Sequence, residues 1–247
     1  MTEQNAVSQV SDEAGFETLE IFADTDKFNQ WLFDTLTKYC KDNILEIGSG
    51  IGNISALLLQ KFVTVSLSDL RVEYCSMLHQ KFNGNAHLKS IQKIDLSEIA
   101  FENKYASLQN NFDSIIASNV IEHIKDDHLA IRNCRGMLRK NGRLAVLVPA
   151  YSTLYNGFDK ELGHFRRYNK RNLSDLFWDE GFEIIHSQYF NFAGIFGWWL
   201  SGSLLKKKIL PKNQLVIYNK LVPVIKLADK ILLNRFGLSV IVVGEKK

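Results

Sequence analysis

Little in this 247-residue chain would break it up. It has only 3 prolines and no Gly/Ser-rich or Pro-rich tract, so nothing reads as a linker to an independent second domain. Cysteine is scarce too. Cys40, Cys75 and Cys134 are odd in number, far apart and without Cys-x-x-Cys or Cys/His spacing, which argues against a disulfide framework and a structural zinc site. A reducing compartment, the cytoplasm, is the expectation. The opening "MTEQNAVSQVSDEAG" lacks a basic start and an apolar core, so it does not read as a secretory signal, and residues 1–15 are expected to be a disordered lead-in. Long apolar runs are missing as well. The most apolar stretch, "FNFAGIFGWWL" (190–200), is too short to span a bilayer as a helix. The charge excess of +3 is too small to mark a nucleic-acid binder.

What is present is an alternation. Phe28, Trp31, Leu32, Leu36 and Tyr39 recur at helical spacing, giving an amphipathic helix within residues 16–42. "NILEIG" (43–48) is a short apolar strand, "NISALLLQKF" a helix, "VTVSLSD" (63–69) a strand and "VEYCSMLHQKF" (72–82) a helix. "AHLKSIQKID" (86–95) and "FDSIIASN" (112–119) read as strands. "DDHLAIRNCRGMLRKNG" (126–142) reads as a helix closed by Asn-Gly, followed by the strand "RLAVLVPA" (143–150). Further on, Asn169 is an N-cap, Gly181 a helix stop, and "FEIIHSQYF" and "LSVIVVGEK" (238–246) are strands. Strands alternating with helices build a parallel α/β sheet with helices on both faces. The core is placed at residues 43–190 plus 238–247, with 191–237 inserted.

The informative unit is "ILEIGSGIGNIS" (44–55). A strand runs into Gly48, Ser49, Gly50 and Gly52 with a helix just after, a turn that lets a ligand approach the backbone at a helix N-terminus. It is not the dinucleotide pattern G-x-G-x-x-G, because Asn53 stands where the third glycine belongs. Glu46 at the strand end would repel a pyrophosphate and suits a ligand with a positive group. Asp69, closing the next strand, is placed to accept hydrogen bonds from both ribose hydroxyls. Asp95 is placed for an adenine amino group, with Leu70 and Leu96 against the ring. Asn119 closes the fourth strand beside the switch point of the sheet.

In "LEIGSGIG", "LSDL", "IDLSEI", "FDSIIASNVIEHIKD" and "LRKNGRLAVLVP", taken in order and spacing, the chain resembles the class I S-adenosylmethionine-dependent methyltransferases. The resemblance covers residues 40–190 and the final strand. It implies a Rossmann-like seven-stranded sheet with an antiparallel last strand. It also implies a helical lid from the N-terminal helix and the insertion. Glu46, Gly48 and Gly50 would hold the methionine part of the cofactor, Asp69 the ribose and Asp95 the adenine, with Asn119 at the sulfonium. His123, in "NVIEHI", is read as a brace of this cofactor-side loop. A quinone-biosynthesis branch of the family binds a metal here through an acid, two spacers and Glu-His. Asn119 replaces that acid, so no metal is expected.

The run "GHFRRY" (163–168) resembles the His-x-Arg-x-Tyr/Phe-Thr segment that follows the fifth strand in many relatives, with Asn169 in place of threonine. It lies in the acceptor-side loop 151–168. His164 is the candidate general base for a hydroxyl acceptor. Tyr155, Asp159, Arg166, Arg167, Tyr168 and Trp198 are candidate acceptor contacts. The competing reading of Arg166 and Arg167 is pairing with Asp159 or Glu161. In the insertion, Trp198 and Trp199 with Phe192 and Phe196 are followed at once by Lys206, Lys207 and Lys208. This fits lid core over a hydrophobic substrate, or an interfacial surface through residues 191–210 that meets lipid.

The function expected from these residues is metal-independent methyl transfer to an oxygen of a small or lipid-linked acceptor. The segment "SNVIEH" lacks the "NPPY"-like tetrad of amino-group methylases of bases and amides. Methylation of a small metabolite on nitrogen or carbon is the alternative. An RNA methyltransferase, a non-catalytic cofactor-binding subunit and an NAD enzyme fit less well, since no basic appended domain is present and the acids are intact.

Overall fold

A computed structural model describes residues 3–206 and 212–247, so Lys207 and Lys208 of the lysine run lie outside the described residues. Seven strands form one sheet: β1 (Ile44–Ile47), β2 (Val65–Asp69), β3 (Leu88–Lys93), β4 (Phe112–Ser118), β5 (Leu138–Pro149), β6 (Phe182–Phe190) and β7 (Ser239–Lys246). Their order is β3-β2-β1-β4-β5-β7-β6. Strands β1 to β5 are parallel, whereas β7 runs antiparallel to both β5 and β6. The chain steps outward from β1 through β2 to β3, then returns to lay β4 on the other side of β1. The ends of β1 and β4 therefore flank the crevice where an open α/β sheet takes its ligand.

Alternation along the strands divides the core in two. Leu45, Ile47, Ile115, Val146 and Val240 face one cluster, shared with Met137 of α6 (Asp127–Met137) and with Leu173 and Phe177 of α8 (Lys170–Asp179). Ile44, Val65, Ile116 and Ile241 face the other. There they meet Trp31 and Leu36 of α2 (Asp26–Leu36), Leu58 of α3 (Ser55–Lys61), Leu78 of α4 (Val72–Phe82), and Val222 and Ile225 of α10 (Lys212–Ile231). Each such side chain contributes about 1.5–3 kcal/mol by leaving water.

The remaining helices are α1 (Glu3–Ala23), α5 (Phe101–Lys104), α7 (Gly157–Glu161) and α9 (Phe192–Trp198). The insertion between β6 and β7 is helical as expected: α9 continues into a π-helical turn, Trp199–Leu204, and α10 follows. The described part of the expected lead-in, from Glu3, is the start of α1.

Several boundaries differ from the sequence reading, and three of them bear on the site. The helix expected over 126–142 stops at Met137, and residues 138–142 already belong to β5. Leu138 pairs with Phe112, the register shifts before Arg143 joins Ser114, and Asn141 takes φ 61° inside the offset. Strand pairing overrides the helix propensity of "LRK". β3 ends at Lys93 and β4 at Ser118, so Asp95 and Asn119 sit in the loops just beyond their strands.

Candidate functional site

β1 delivers the chain into a turn where Gly48, Gly50 and Gly52 have φ of 72°, 53° and 81°. L side chains rarely adopt this region, and here there is also no room for one. A Cβ on Gly48 would collide with Val120 Cγ2, and one on Gly50 would lie 2.8 Å from Leu19 Cδ1 of α1. The turn is held by Ser49 N donating to Ser68 O at 2.8 Å and Gly52 N to Ser49 O at 2.9 Å. α1 lies over it: Asn53 Nδ2 donates to Leu19 O at 2.9 Å, and Phe16 stacks on Tyr74.

Acids ring this cradle. Glu46 is buried on β1, and Ser55 Oγ donates to its Oε2. Burial pushes its carboxyl up to about 7, against the pull of hydrogen bonds from Ser55 and Ser49. A dry acid poised to ionise is suited to a cationic ligand group. Asp69 accepts Gly50 N at 2.9 Å on one oxygen and Arg71 N at 3.0 Å on the other. Burial raises its carboxyl, and these two N–H bonds oppose the rise. Asp95 is half-buried and accepts from Ser97 N at 2.9 Å and Ser97 Oγ at 2.6 Å. Leu70 is exposed, as an open ring-binding face requires, whereas Leu96 is buried in the core and offers little surface. Asn119 is exposed in a left-handed conformation at φ 54°, its N–H bonded to Leu147 O. A cradle that a Cβ would fill, one buried acid and one ribose-suited acid fit an adenosyl ligand with a cationic tail.

Beyond Asn119 a 3₁₀ turn, Ile121–His123, meets the segment returning after β5. Phe165 N donates to Glu122 O at 2.8 Å, and Tyr168 pairs in parallel with Ala150. This places the His123 and His164 rings 4.7 Å apart, edge to face. Glu122 is fully buried beside them, and neither carboxylate oxygen has a hydrogen-bond partner. Burial pushes Glu122 up to about 7, with His164 and Arg167 pulling the other way. His123 keeps an exposed face, yet the protein around it, then the His164 and Arg71 charges, lowers it to about 3. Donor atoms of Glu122, His123 and His164 lie within 4.8 Å of one another, the one grouping among the described residues spaced to share an ion.

The acceptor-side candidates form a connected scaffold. Asp159, in α7, accepts His164 Nδ1 at 2.8 Å, Arg167 Nε at 2.7 Å and Asn156 N at 2.9 Å. Burial would raise its carboxyl, but His164 and Arg167 hold it below the ordinary value. Arg167 also donates to Ala150 O at 3.0 Å and stacks over the Trp198 ring, its Cζ 4.7 Å from the centroid. Tyr155 Oη donates to His164 O at 2.8 Å. Trp198 is buried, with Nε1 donating to Leu154 O. Arg166 turns the other way, to Asp127 at 2.7 Å and Lys125 O at 2.6 Å, and Tyr168 Oη joins it on Asp127 at 2.8 Å. Arg167 is thus paired with Asp159, as the competing reading had it. Arg166 pairs with Asp127 rather than with Asp159 or Glu161. The polar atoms of these candidates are engaged within the protein, and they fix His164 with Nδ1 occupied and Nε2 left over.

Sequence reasoning did not single out Glu122, Ser55 or the seat of α1 on the glycine turn. Glu122 stands next to His123 in the quoted motif, which was the available signal. The contact of Leu19 with Gly50 spans 31 residues and left no signal in spacing.

A family model described as a methyltransferase domain matches residues 13–187. Among curated proteins, the chain is similar to polyketide synthase PksR of Bacillus subtilis, 29% identical over 148 residues. That match covers 53% of this chain and 6% of the relative, so the chain spans only a small part of it. Among solved structures it is similar to the CurJ carbon methyltransferase, with TM-score 0.58, 13% identity and coverage of 88% of this chain and 53% of that one. It is also similar to phosphoethanolamine N-methyltransferase 2 of Haemonchus contortus in complex with S-adenosyl-L-methionine, with TM-score 0.57, 17% identity and coverage of 88% and 52%. With the family model matching residues 13–187 of the chain and the sheet order in agreement, the chain belongs to the class I methyltransferases.

Proposed function

We propose that the protein methylates a hydroxyl or carboxyl oxygen of a small hydrophobic or lipid-linked acceptor, with His164 as general base. The observation that carries this reading is the Asp159–His164 hydrogen bond at 2.8 Å in a buried setting. An ionised aspartate on Nδ1 fixes the tautomer and stabilises the imidazolium that forms when Nε2 takes a proton. Arg167 and Asn156 keep that aspartate charged and in place. Glu46, Gly48, Ser49, Gly50 and Asp69 would hold the cofactor, with Asp95 and Leu70 on its adenine side and Asn119 and His123 at its reactive end. When bound, S-adenosylmethionine supplies an electrophilic methyl on a sulfonium. The residues of this chain orient the acceptor, keep water out and leave the acceptor oxygen as a nucleophile once His164 holds its proton.

The test is incubation of the protein with methyl-labelled cofactor and a panel of phenolic, carboxylic and prenylated acceptors, with the labelled position in the product assigned by NMR. A methyl on oxygen supports the reading, and one on nitrogen overturns it. Methylation of an acidic carbon is the second reading. It is favoured by the likeness to a polyketide synthase and to a carbon methyltransferase, and the same His164 would take the C–H proton.

A further inference from the structure

α10 is apolar on two opposite sides. Tyr218, Val222 and Ile225, at helical spacing, face the protein and pack with α2 and the sheet. Ile217, Val224, Leu227 and Ile231 lie on the outer side, with Leu221 at its edge, and all five are 50–70% exposed. One stripe therefore does what an amphipathic helix of a soluble domain does, and the second joins neither core cluster among the described residues. α9 and its π-helical turn add Phe196, Trp199, Leu204 and Leu205, all half or more exposed. Ser201 Oγ donates to Gln214 Oε1 at 2.9 Å and ties the two helical segments together, and Phe192 contacts Phe236 in the segment after α10. Thirteen of the twenty exposed large apolar side chains among the described residues fall within 191–237. Elsewhere they are scattered, as on any soluble surface.

The charge of this insertion identifies its occupant. Residues 191–237 contain eight basic side chains and a single acid, Asp229, while the rest of the chain has 22 basic and 26 acidic residues. Asp229 is buried, accepting Asn191 N at 2.7 Å and Phe192 N at 2.9 Å, so it does not offset the outer charge. Lys206, Lys220, Lys230 and Arg235 are exposed. A second copy of the chain would set two strongly basic faces together, which like-charge repulsion opposes. No helix among the described residues is long and apolar enough to cross a membrane. Exposed aliphatic and tryptophan side chains among basic ones, on elements too short to span, are the chemistry of a helix lying in a lipid interface.

We propose that the α9–α10 insertion is a lipid-docking surface that seats the protein on bilayers carrying anionic headgroups. The apolar stripe enters the acyl boundary, Trp199 sits at headgroup level and the lysines meet the phosphates. The inference does not depend on which acceptor is methylated.

The experiment is co-sedimentation of the full chain with vesicles of phosphatidylcholine alone and of phosphatidylcholine mixed with phosphatidylglycerol, at low and high salt. The protein is expected to sediment with the mixed vesicles, to be released by salt, and to remain in solution with phosphatidylcholine alone. The triple variant Ile217→Gln/Val224→Gln/Ile231→Gln should lose binding. Its inward stripe is untouched, so circular dichroism and S-adenosylmethionine binding should match the parent and exclude misfolding. Lys220→Gln and Lys230→Gln should each weaken partitioning about fivefold. Trp199→Phe should remove a blue shift of tryptophan emission on lipid addition. Failure to sediment with either vesicle overturns the proposal, as does equal binding to both. A dimer by light scattering that the triple variant dissociates, without vesicle binding, would also overturn it and assign the face to self-association.

Discussion

His164 Nδ1 stands 2.8 Å from Asp159 Oδ1, and the same oxygen receives Arg167 Nε at 2.7 Å. One carboxylate thus orients the proposed base and neutralises a buried guanidinium. The two tasks separate by mutation. His164→Ala removes only the base, so turnover should fall by about 10²–10⁴ while S-adenosylmethionine affinity stays unchanged. Asp159→Ala leaves Arg167 buried without its partner, and breaking such a pair costs about 3–5 kcal/mol. Its melting temperature should drop well below that of His164→Ala. Calorimetry with cofactor and thermal denaturation check both. Equal loss of turnover and affinity in His164→Ala would reduce the histidine to a structural role.

Gly48 and Gly84 have nearly the same backbone, with φ of 72° and 77°, but different surroundings. A Cβ at Gly84 meets open space, whereas one at Gly48 collides with Val120. Gly84→Ala should therefore show only the conformational penalty of a left-handed residue, about 1–2 kcal/mol. Gly48→Ala adds the displacement of Val120, next to Asn119, and should abolish measurable cofactor binding by calorimetry. Similar affinity in the two variants would mean that the turn does not cradle the cofactor.

Glu46, placed by the proposal at the cofactor's cationic end, would give that site a pH dependence. Burial leaves the carboxyl half-protonated at about pH 7 in the empty protein. If the ionised form pairs with a cationic ligand group, lowering the pH below that point adds the cost of removing a proton. Affinity for S-adenosylmethionine should then fall towards tenfold per pH unit below 7 and level off above it. Glu46→Gln should bind more weakly at pH 8 and show a flat profile. Titrations at several pH values decide it, and a flat profile in the parent protein would remove Glu46 from the cation site.

These residues also show what was legible in the sequence. Val72–Phe82 and Phe182–Phe190 were delimited to the residue, because turn residues bound an apolar pattern of one clear period. The glycine turn and its acids were legible because the strand-turn-helix grammar places them one after another. The end of α6 was not, since Leu138–Lys140 suit a helix locally and only pairing with Phe112 makes them a strand. Arg166 and Arg167 are neighbours of the same chemistry, yet one reaches Asp127 and the other Asp159. Adjacent residues in extended backbone point to opposite sides, and the sequence does not say which side holds which acid.

Glu122 is where stability should respond to pH. Its carboxyl is buried, has no hydrogen-bond partner and is raised from 4.5 to about 7. Between those values the folded protein holds a proton that the unfolded chain has released, so this group makes stability fall as pH rises through the window. Above about pH 7 both states are ionised and the loss is complete, at about 3 kcal/mol from the size of the shift. Glu122→Gln removes the charge while keeping the shape. Its melting temperature should equal that of the parent near pH 4.5 and exceed it increasingly up to pH 7. Glu46 has the same sign, and His123, lowered to about 3, the opposite one, but both are common to the two proteins and cancel in the difference. Parallel melting curves for parent and variant from pH 4.5 to 8 would show that Glu122 is ionised and compensated throughout. Its carboxylate would then have a cationic partner in solution, with donor atoms of His123 and His164 within 4.8 Å of it.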